Sequence, residues 1–179
     1  MPQPRTIDVV PYQIAWNVAF ETLAGEVAAT LDDQIVDIHH IGSTAVPGLC
    51  AKPIIDLLPV VQSIEAVDAL KASLEAQGYE GRGEYGLSGR RYFIRWQEKQ
   101  RIAHVHIYAA GHSAIRRHLA FRDYLRAHAS ISDAYGRLKV ASARTHRHAP
   151  EAYSAAKADF IQDIEQRALA WAAGHTNSA

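Results

Sequence analysis

The segment from Pro53 to Val61, PIIDLLPVV, carries one charged side chain in an otherwise apolar run. Its length and composition predict a buried β-strand. An ionised carboxylate inside such a strand is costly unless a cation, a proton or several hydrogen-bond donors satisfy it. Asp56 must therefore face either a ligand site or a structural partner, such as a helix N-terminus, Lys52 or an arginine.

The first half of the chain alternates between helical and extended patterns. Apolar residues recur at spacings of three and four up to Leu31, which is typical of an amphipathic helix. Ser63 is a typical N-cap for a second helix that ends near Gly78. The predicted elements are a helix at Pro11–Leu31, a strand at Gln34–Ile41, a turn at Gly42–Leu49, the Pro53–Val61 strand and a helix after Ser63.

The second half begins with a glycine-rich segment, Gly81–Gly89, which predicts a flexible loop. A hairpin follows, in which strands Arg91–Gln97 and Ile102–Tyr108 flank a polar turn at residues 98–101. The remaining pattern predicts three helices: Ser113–His128, Ser130–Thr145 and Pro150–Ala173. This order predicts one α/β (α+β) domain over residues 1–179, with its core at about 7–170 and a disordered tail at about 174–179.

The charge balance and the cysteine content narrow the class of protein. Lysine and arginine total 19, as do aspartate and glutamate, and this zero net charge argues against nucleic acid or an anionic membrane as a partner. The single cysteine, Cys50, cannot form an internal disulfide. No run approaches the ~20 apolar residues that span a bilayer, and the N-terminus lacks the pattern of a signal peptide. We expect a cytoplasmic protein.

Two further patterns are typical of ligand sites. Side chains alternate along a strand, so His104 and His106 share one face, and Asp56 on a neighbouring strand could complete a metal site with them. In the Gly42-Ser43 turn, backbone amides and a hydroxyl can approach phosphate oxygens. Both patterns also occur without a ligand, as an ordinary turn and as a half-exposed strand face.

Five segments, taken together, resemble the GrpB family in their order and spacing. They are HIGSTAVPGLCAKPIIDLLPVV, GRRYFIRW, HVHIY, RRHLAFRDYLRAH and YSAAKADFI. The family consists of small bacterial proteins that are predicted to be nucleotidyltransferase-like, and it also occurs as a domain fused to some dephospho-CoA kinases. The resemblance covers the chain from about Ile7 to about Ile164.

The resemblance implies the nucleotidyltransferase fold, a small mixed β-sheet flanked by helices, with a helical C-terminal part packed on it. In that superfamily a Gly-Ser turn holds the nucleotide triphosphate, and acidic residues two apart on the next strand hold divalent metals together with a third on another strand. The first acidic position corresponds to Asp56, but Leu58 stands at the second. His104 and His106 lie where the third would be sought, so Mg²⁺, Mn²⁺ or Zn²⁺ are candidates, and the imidazoles favour a transition metal.

These observations predict a protein that binds a nucleotide or a phosphorylated metabolite, a small-molecule partner, together with a divalent metal. Asp56 is the expected catalytic residue and, with the two histidines, a metal ligand. The expected phosphate-binding residues are Gly42, Ser43, Lys52, Arg90 and Arg91. Two alternatives remain open: a non-catalytic nucleotide-binding or accessory module, because Leu58 cannot ligate a metal, and a hydrolase that uses the Asp/His metal site.

Overall fold

The structure, a computed structural model, describes residues 6–176. Its five strands are β1 (Ile35–Ile41), β2 (Ile55–Val61), β3 (Tyr79–Gly81), β4 (Arg91–Gln97) and β5 (Gln100–Ala109). The α-helices within this range are α1 (Ala15–Leu31), α2 (Ile64–Ala76), α3 (Ser113–Ala127), α4 (Ala129–Thr145), α5 (Pro150–Ala155) and α6 (Ala158–Thr176). Every one of these helices is too short or too polar to cross a membrane.

The strands form one mixed sheet in the order β1-β2-β5-β4-β3. The central pair, β2 and β5, is parallel, and the other pairs are antiparallel. Asp56 on β2 is in register with His104 on β5 and with Ile41 on β1. This mixed sheet with flanking helices confirms the predicted fold class and places Asp56 in the middle of the sheet.

One face of the sheet is packed against α1 and α2. Leu57 on β2 and Val105 on β5 point into this core and are almost completely buried. The helices contribute the apolar stripe that the sequence predicts, since Trp16, Leu23, Val27 and Leu31 of α1 are all buried. Because side chains alternate along a strand, the residues before and after Leu57 must face the opposite side.

The opposite face is covered only in part. Ala114, Ile115 and Leu119 of α3 pack against Ile41, Leu58 and Tyr108 of the sheet. Helices α4 and α6 pack instead on α3 and on Val46 and Leu49, two residues of the segment that follows β1, and these contacts form a second core. The C-terminal helices therefore enclose the Gly42-Ser43 segment between themselves and the sheet.

Three predictions for the second half of the chain need correction. The short strand β3 was not predicted, because three residues are too few for a periodic pattern; it pairs with β4. The predicted third helix is two helices, α5 and α6. At the break, the Lys157 N–H donates to the carbonyl of Ser154, three residues earlier. No glycine or proline in the sequence signals this break. Helix α6 continues to Thr176, so residues 174–176 are helical, while 177–179 of the predicted tail lie outside the described residues.

The hairpin turn is also tighter than predicted. Gln97 pairs with Gln100, so only Glu98 and Lys99 form the turn instead of residues 98–101. Both have positive φ angles, +47° and +67°, which is the backbone of a type I′ turn. This turn favours Asn-Gly, and a residue with a large side chain is strained in it.

Replacing Glu98 by Asn and Lys99 by Gly together should therefore raise the free energy of unfolding by about 1 kcal/mol, because the strain of two left-handed residues is relieved. Urea denaturation measures the difference. The control is Lys99→Ala, which keeps a Cβ at positive φ and should give no gain. An unchanged or lower stability of the double variant would contradict the assignment of the turn.

Candidate functional site

Asp56, His104 and His106 converge on the partly covered face of the sheet. The Asp56 Oδ1 atom lies 3.2 Å from His104 Nδ1 and 3.5 Å from His106 Nε2. Strand geometry explains the cluster, since Asp56 is in register with His104 and His106 is two residues further along the same face of β5. The three side chains keep 27%, 18% and 14% of their surface exposed, so the cluster is open to a small ligand.

The electrostatics of the cluster keep Asp56 ionised. Burial acts to raise the pKa of this carboxyl, but the hydrogen bonds and positive charge from His104 and His106 outweigh burial and hold the pKa well below its ordinary value. An ionised carboxylate can only accept hydrogen bonds. The two imidazoles are therefore the partners that the sequence required for this strand residue.

The other ring nitrogens of the two histidines have different surroundings. The Nε2 atom of His104 is buried and has no hydrogen-bond partner among residues 6–176. His106 Nδ1 lies 3.4 Å from Nη1 of Arg90, which has donors only, so this nitrogen accepts. His104 and His106 direct Nδ1 and Nε2, respectively, at Asp56.

The same donor set fits a transition-metal ion. One nitrogen from each histidine and one carboxylate oxygen all lie within 4.8 Å of one another. Two ligands that are each ~2.1 Å from a zinc ion at a tetrahedral angle are about 3.4 Å apart, close to the observed separations from Asp56. A single carboxylate with two imidazoles suits Zn²⁺ or Mn²⁺ better than Mg²⁺, which prefers oxygen ligands.

Gly42 lies directly against the Asp56 carboxylate. Its φ angle is +72°, and a Cβ atom at this position would lie 2.5 Å from Asp56 Oδ2. A glycine is therefore required here for two reasons, the left-handed backbone and the close approach. Ser43 follows and begins a short 3₁₀ helix, Ser43–Ala45.

Two arginines of α3 hold the ends of this turn. Arg122 Nη1 donates to the carbonyl of His40 at 3.0 Å, and Arg126 donates twice to the carbonyl of Ala45, at 2.7 and 2.9 Å. Neither contact was predicted, because a row of arginines on an amphipathic helix is usually a solvated face. The two side chains instead fix the Gly42-Ser43 segment relative to the C-terminal helices.

A second charged group lies beyond Ser43, and we call it the lysine cluster: Lys52, Lys139 and Lys157. Lys157 Nζ is 3.9 Å and Lys52 Nζ 5.5 Å from the centre of the Tyr153 ring. Lys139 is 2% exposed; its Nζ donates to the carbonyl of Cys50 and lies 4.6 Å from the centre of the Tyr135 ring. The cluster therefore brings together the loop before β2, helix α4 and the α5–α6 junction.

The lysine cluster is electrostatically strained. Burial, together with the charges of the other two lysines, lowers the pKa of Lys139 to about 7. Burial and the charge of Lys52 lower the pKa of Lys157 to about 8, while the negative charge of Asp56 opposes the shift. Ser43 contacts Tyr135. Burial raises the pKa of Tyr135, and the hydrogen bond with Ser43 acts to lower it. Ser43 and Lys139 therefore both contact Tyr135, and the charge of Asp56 acts on Lys157.

Only Lys52 of this cluster was predicted. Lys139 lies four residues after the buried Tyr135, on the buried side of α4, and a lysine within such a stripe is the signal that could have identified it. Lys157 has no comparable signal, because it lies at the unpredicted break between α5 and α6.

The two predicted arginines have different positions. Arg90 reaches the group formed by Asp56, His104 and His106. It is 6% exposed, contacts His106 and lies 4.8 Å from the centre of the Tyr92 ring. Arg91, next along the strand, points to the other face and forms two hydrogen bonds with Asp68 of α2, at 2.6 and 2.7 Å. The structure therefore does not bring Arg91 to the predicted phosphate site, as strand alternation requires.

Asp56→Asn should lower the affinity for Zn²⁺ or Mn²⁺ by about 100-fold or more, because it removes the one anionic ligand while keeping the shape of the side chain. Titration of the purified protein with each metal measures the affinity, and Asp37→Asn, an exposed carboxylate on β1, is the matched control. A purely structural Asp56 would show a stability loss of roughly 3 kcal/mol or more with unchanged metal affinity.

Gly42→Ala and Gly48→Ala form a matched pair. Both glycines have positive φ, +72° and +81°, but a Cβ at Gly48 would meet no atom within 4 Å. Gly48→Ala should therefore cost only the backbone strain, about 1 kcal/mol, whereas Gly42→Ala should cost more and also displace Asp56. Chemical denaturation and metal titration of both variants test this. Equal losses in the two variants would show that Gly42 does not need to approach Asp56.

Comparison with known proteins identifies relatives of this chain. A sequence profile described as GrpB protein matches residues 6–167. The UPF0157 protein YqkA of Bacillus subtilis is 41% identical over 97% of this chain, which spans 50% of YqkA. A dephospho-CoA kinase of Mycolicibacterium paratuberculosis is 25% identical over 92% of this chain, which spans 47% of that protein. This chain thus spans about half the length of both relatives.

Solved structures include a GrpB protein and more distant proteins that share the fold. The crystal structure of the conserved protein GrpB from Enterococcus faecalis is 45% identical, with a TM-score of 0.87 over 90% of this chain and 97% of that one. The Cid1 poly(U) polymerase shares the fold at a TM-score of 0.52 and 17% identity, over 75% of this chain and 42% of Cid1. The chain is therefore a member of the GrpB family with a nucleotidyltransferase-like fold.

Proposed function

We propose that this protein binds a nucleotide or a related phosphorylated metabolite in the cleft between the sheet and the C-terminal helices. The observation that carries the proposal is that Gly42 lies against the metal-type donor set around Asp56, while Ser43, the next residue, and Lys139 of the lysine cluster both contact Tyr135. A polyphosphate would lie along the turn, with its terminal phosphates at the lysines and the reacting phosphate near Asp56.

The lysine cluster favours a ligand with several negative charges. The positive charges of Lys52 and Lys157 both act on Lys139, and that of Lys52 acts on Lys157. A polyphosphate spreads several negative charges over many acceptor oxygens, so it can satisfy all three lysines together. Ser43 and the amides of the turn would supply further donors.

Asp56, His104 and His106 are the residues that would hold a divalent metal. When bound, such an ion supplies a Lewis acid for a phosphoryl oxygen. Leu58, at the position of the second acidic residue of active nucleotidyltransferases, is completely buried against Ile41 and Tyr108. Within residues 6–176 the chain offers this one group of metal ligands, whereas two-metal phosphoryl transfer requires carboxylates that bridge ions ~4 Å apart.

Leu58 favours a second candidate, a non-catalytic nucleotide-binding or accessory module. Incubation of the protein with nucleoside triphosphates and Mn²⁺ or Zn²⁺ distinguishes the possibilities. Release of pyrophosphate would indicate nucleotidyl transfer, and release of orthophosphate would indicate a metal-dependent hydrolase. Tight binding without either product would support the module. A cytoplasmic location, where such ligands are available, belongs to the same proposal.

Lys139→Met should reduce the affinity for inorganic triphosphate by about tenfold or more, since it removes one of three convergent charges. Isothermal titration calorimetry measures the affinity, and Lys71→Met, an exposed lysine of α2, is the matched control. The variant should lose no more than about 1 kcal/mol of stability, because the loss of the hydrogen bond to the Cys50 carbonyl is offset by the removal of a buried amine.

Lys139 also determines the direction in which the affinity for triphosphate changes with pH. The pKa of Lys139 is lowered to about 7 and that of Lys157 to about 8, so both are protonated below these values and neutral above them. The advantage of the wild type over Lys139→Met in triphosphate affinity should be largest near pH 6 and shrink above pH 8. Wild-type affinity that equals that of Lys139→Met at all pH values would contradict the proposed phosphate site.

A further inference from the structure

An exposed aromatic side chain lies at the end of the site opposite the lysine cluster. Tyr85 belongs to the loop between β3 and β4, and 66% of its surface is exposed. Its ring stacks on Tyr92 with a centroid distance of 5.3 Å, and Tyr92 in turn lies 5.1 Å from His106. The ring of Tyr92 therefore lies between Tyr85 and His106 of the metal-type donor set.

The loop holds Tyr85 in a strained backbone conformation. Its φ angle is +45°, which is rare for a bulky residue and commonly marks a functional position. Arg90 maintains this conformation, since its buried guanidinium donates to the carbonyl of Glu84 at 3.1 Å and to that of Tyr85 at 2.8 Å. Gly89 N–H also donates to the Glu84 carboxylate. Hydrogen bonds to Glu84 and to the Tyr85 carbonyl thus hold the glycine-rich loop that the sequence predicts to be flexible.

The order of the groups across the sheet gives the site a direction. Ser43 follows β1 and, like Lys139 of the lysine cluster, contacts Tyr135. Asp56 is on β2, the histidines are on β5, and Tyr92 is on β4 with Tyr85 stacked on it. One face of the Tyr85 ring is covered by Tyr92, and the exposed remainder is available to a planar ligand. A nucleotide has a matching order: phosphates, ribose and a planar base.

We propose that Tyr85 is the stacking platform for the base of the bound nucleotide, with Tyr92 supporting its ring from behind and Arg90 acting as a positioning residue. The inference rests on the proposed function and specifies its substrate class, because inorganic polyphosphate and non-aromatic phosphorylated metabolites cannot use this platform. Stacking tolerates any base, since each base has a π-face, so we expect little preference between purines and pyrimidines.

Calorimetric titration of the full chain with ATP, UTP and inorganic triphosphate, each with Mn²⁺, tests the proposal. Tyr85→Ala should weaken ATP and UTP about tenfold and leave triphosphate within about twofold, because only the stacking contact is removed. Tyr85→Phe should bind all three as the wild type does. Leu87→Ala, at a second exposed apolar residue of the loop, is the control for perturbation of the loop.

Tyr85→Gly keeps the test valid if the alanine variant folds poorly, since glycine accepts the positive φ without strain. Nucleotide affinity that is unchanged in Tyr85→Ala and Tyr85→Gly but reduced in Lys139→Met would overturn the stacking platform alone. If the wild type binds neither triphosphate nor nucleotides, the proposed function fails, and the platform fails with it.

Discussion

The carboxylate of Asp56, held by two imidazoles across a parallel strand pair, is the interaction on which the candidate site depends. It places an ionised group in the middle of a sheet whose other face is a continuous apolar core. Such a group is tolerated because His104 and His106 supply donors and because this part of the face stays partly exposed. The same carboxylate dictates a glycine at position 42, since no other residue leaves room beside it.

The C-terminal helices complete the site by adding positive charge. Lys139 lies on α4 and Lys157 at the α5–α6 junction, and α4 and α6 pack on Val46 and Leu49, just beyond the Gly42-Ser43 segment. The second core therefore also determines where these charges lie. Lys139 is buried, and the charges of Lys52 and Lys157 act on it.

Membership of the GrpB family and likeness to Cid1 define the fold without defining the chemistry. Leu58 shows the distinction within this chain. The family resemblance predicts a second acidic residue at this position of β2, but the leucine packs against Ile41, Tyr108 and α3 instead. A donor set of one carboxylate and two imidazoles differs in charge and in metal preference from a set of carboxylates.

Local patterns in the sequence were sufficient to predict most of the helices and strands and part of the site. The period of two along β2 and β5 determines that Asp56 opposes the apolar side and that His104 and His106 share a face, and Ser63 caps α2 as expected, accepting from Ala66 N–H. What the tertiary structure alone decided is which distant segments meet. The parallel pairing that sets Asp56 beside His104, the pairing of Arg91 with Asp68 and the approach of Lys139 to Lys52 all join residues far apart in the chain. Such contacts depend on the packing of whole elements and on strand register, which local propensity and spacing do not encode.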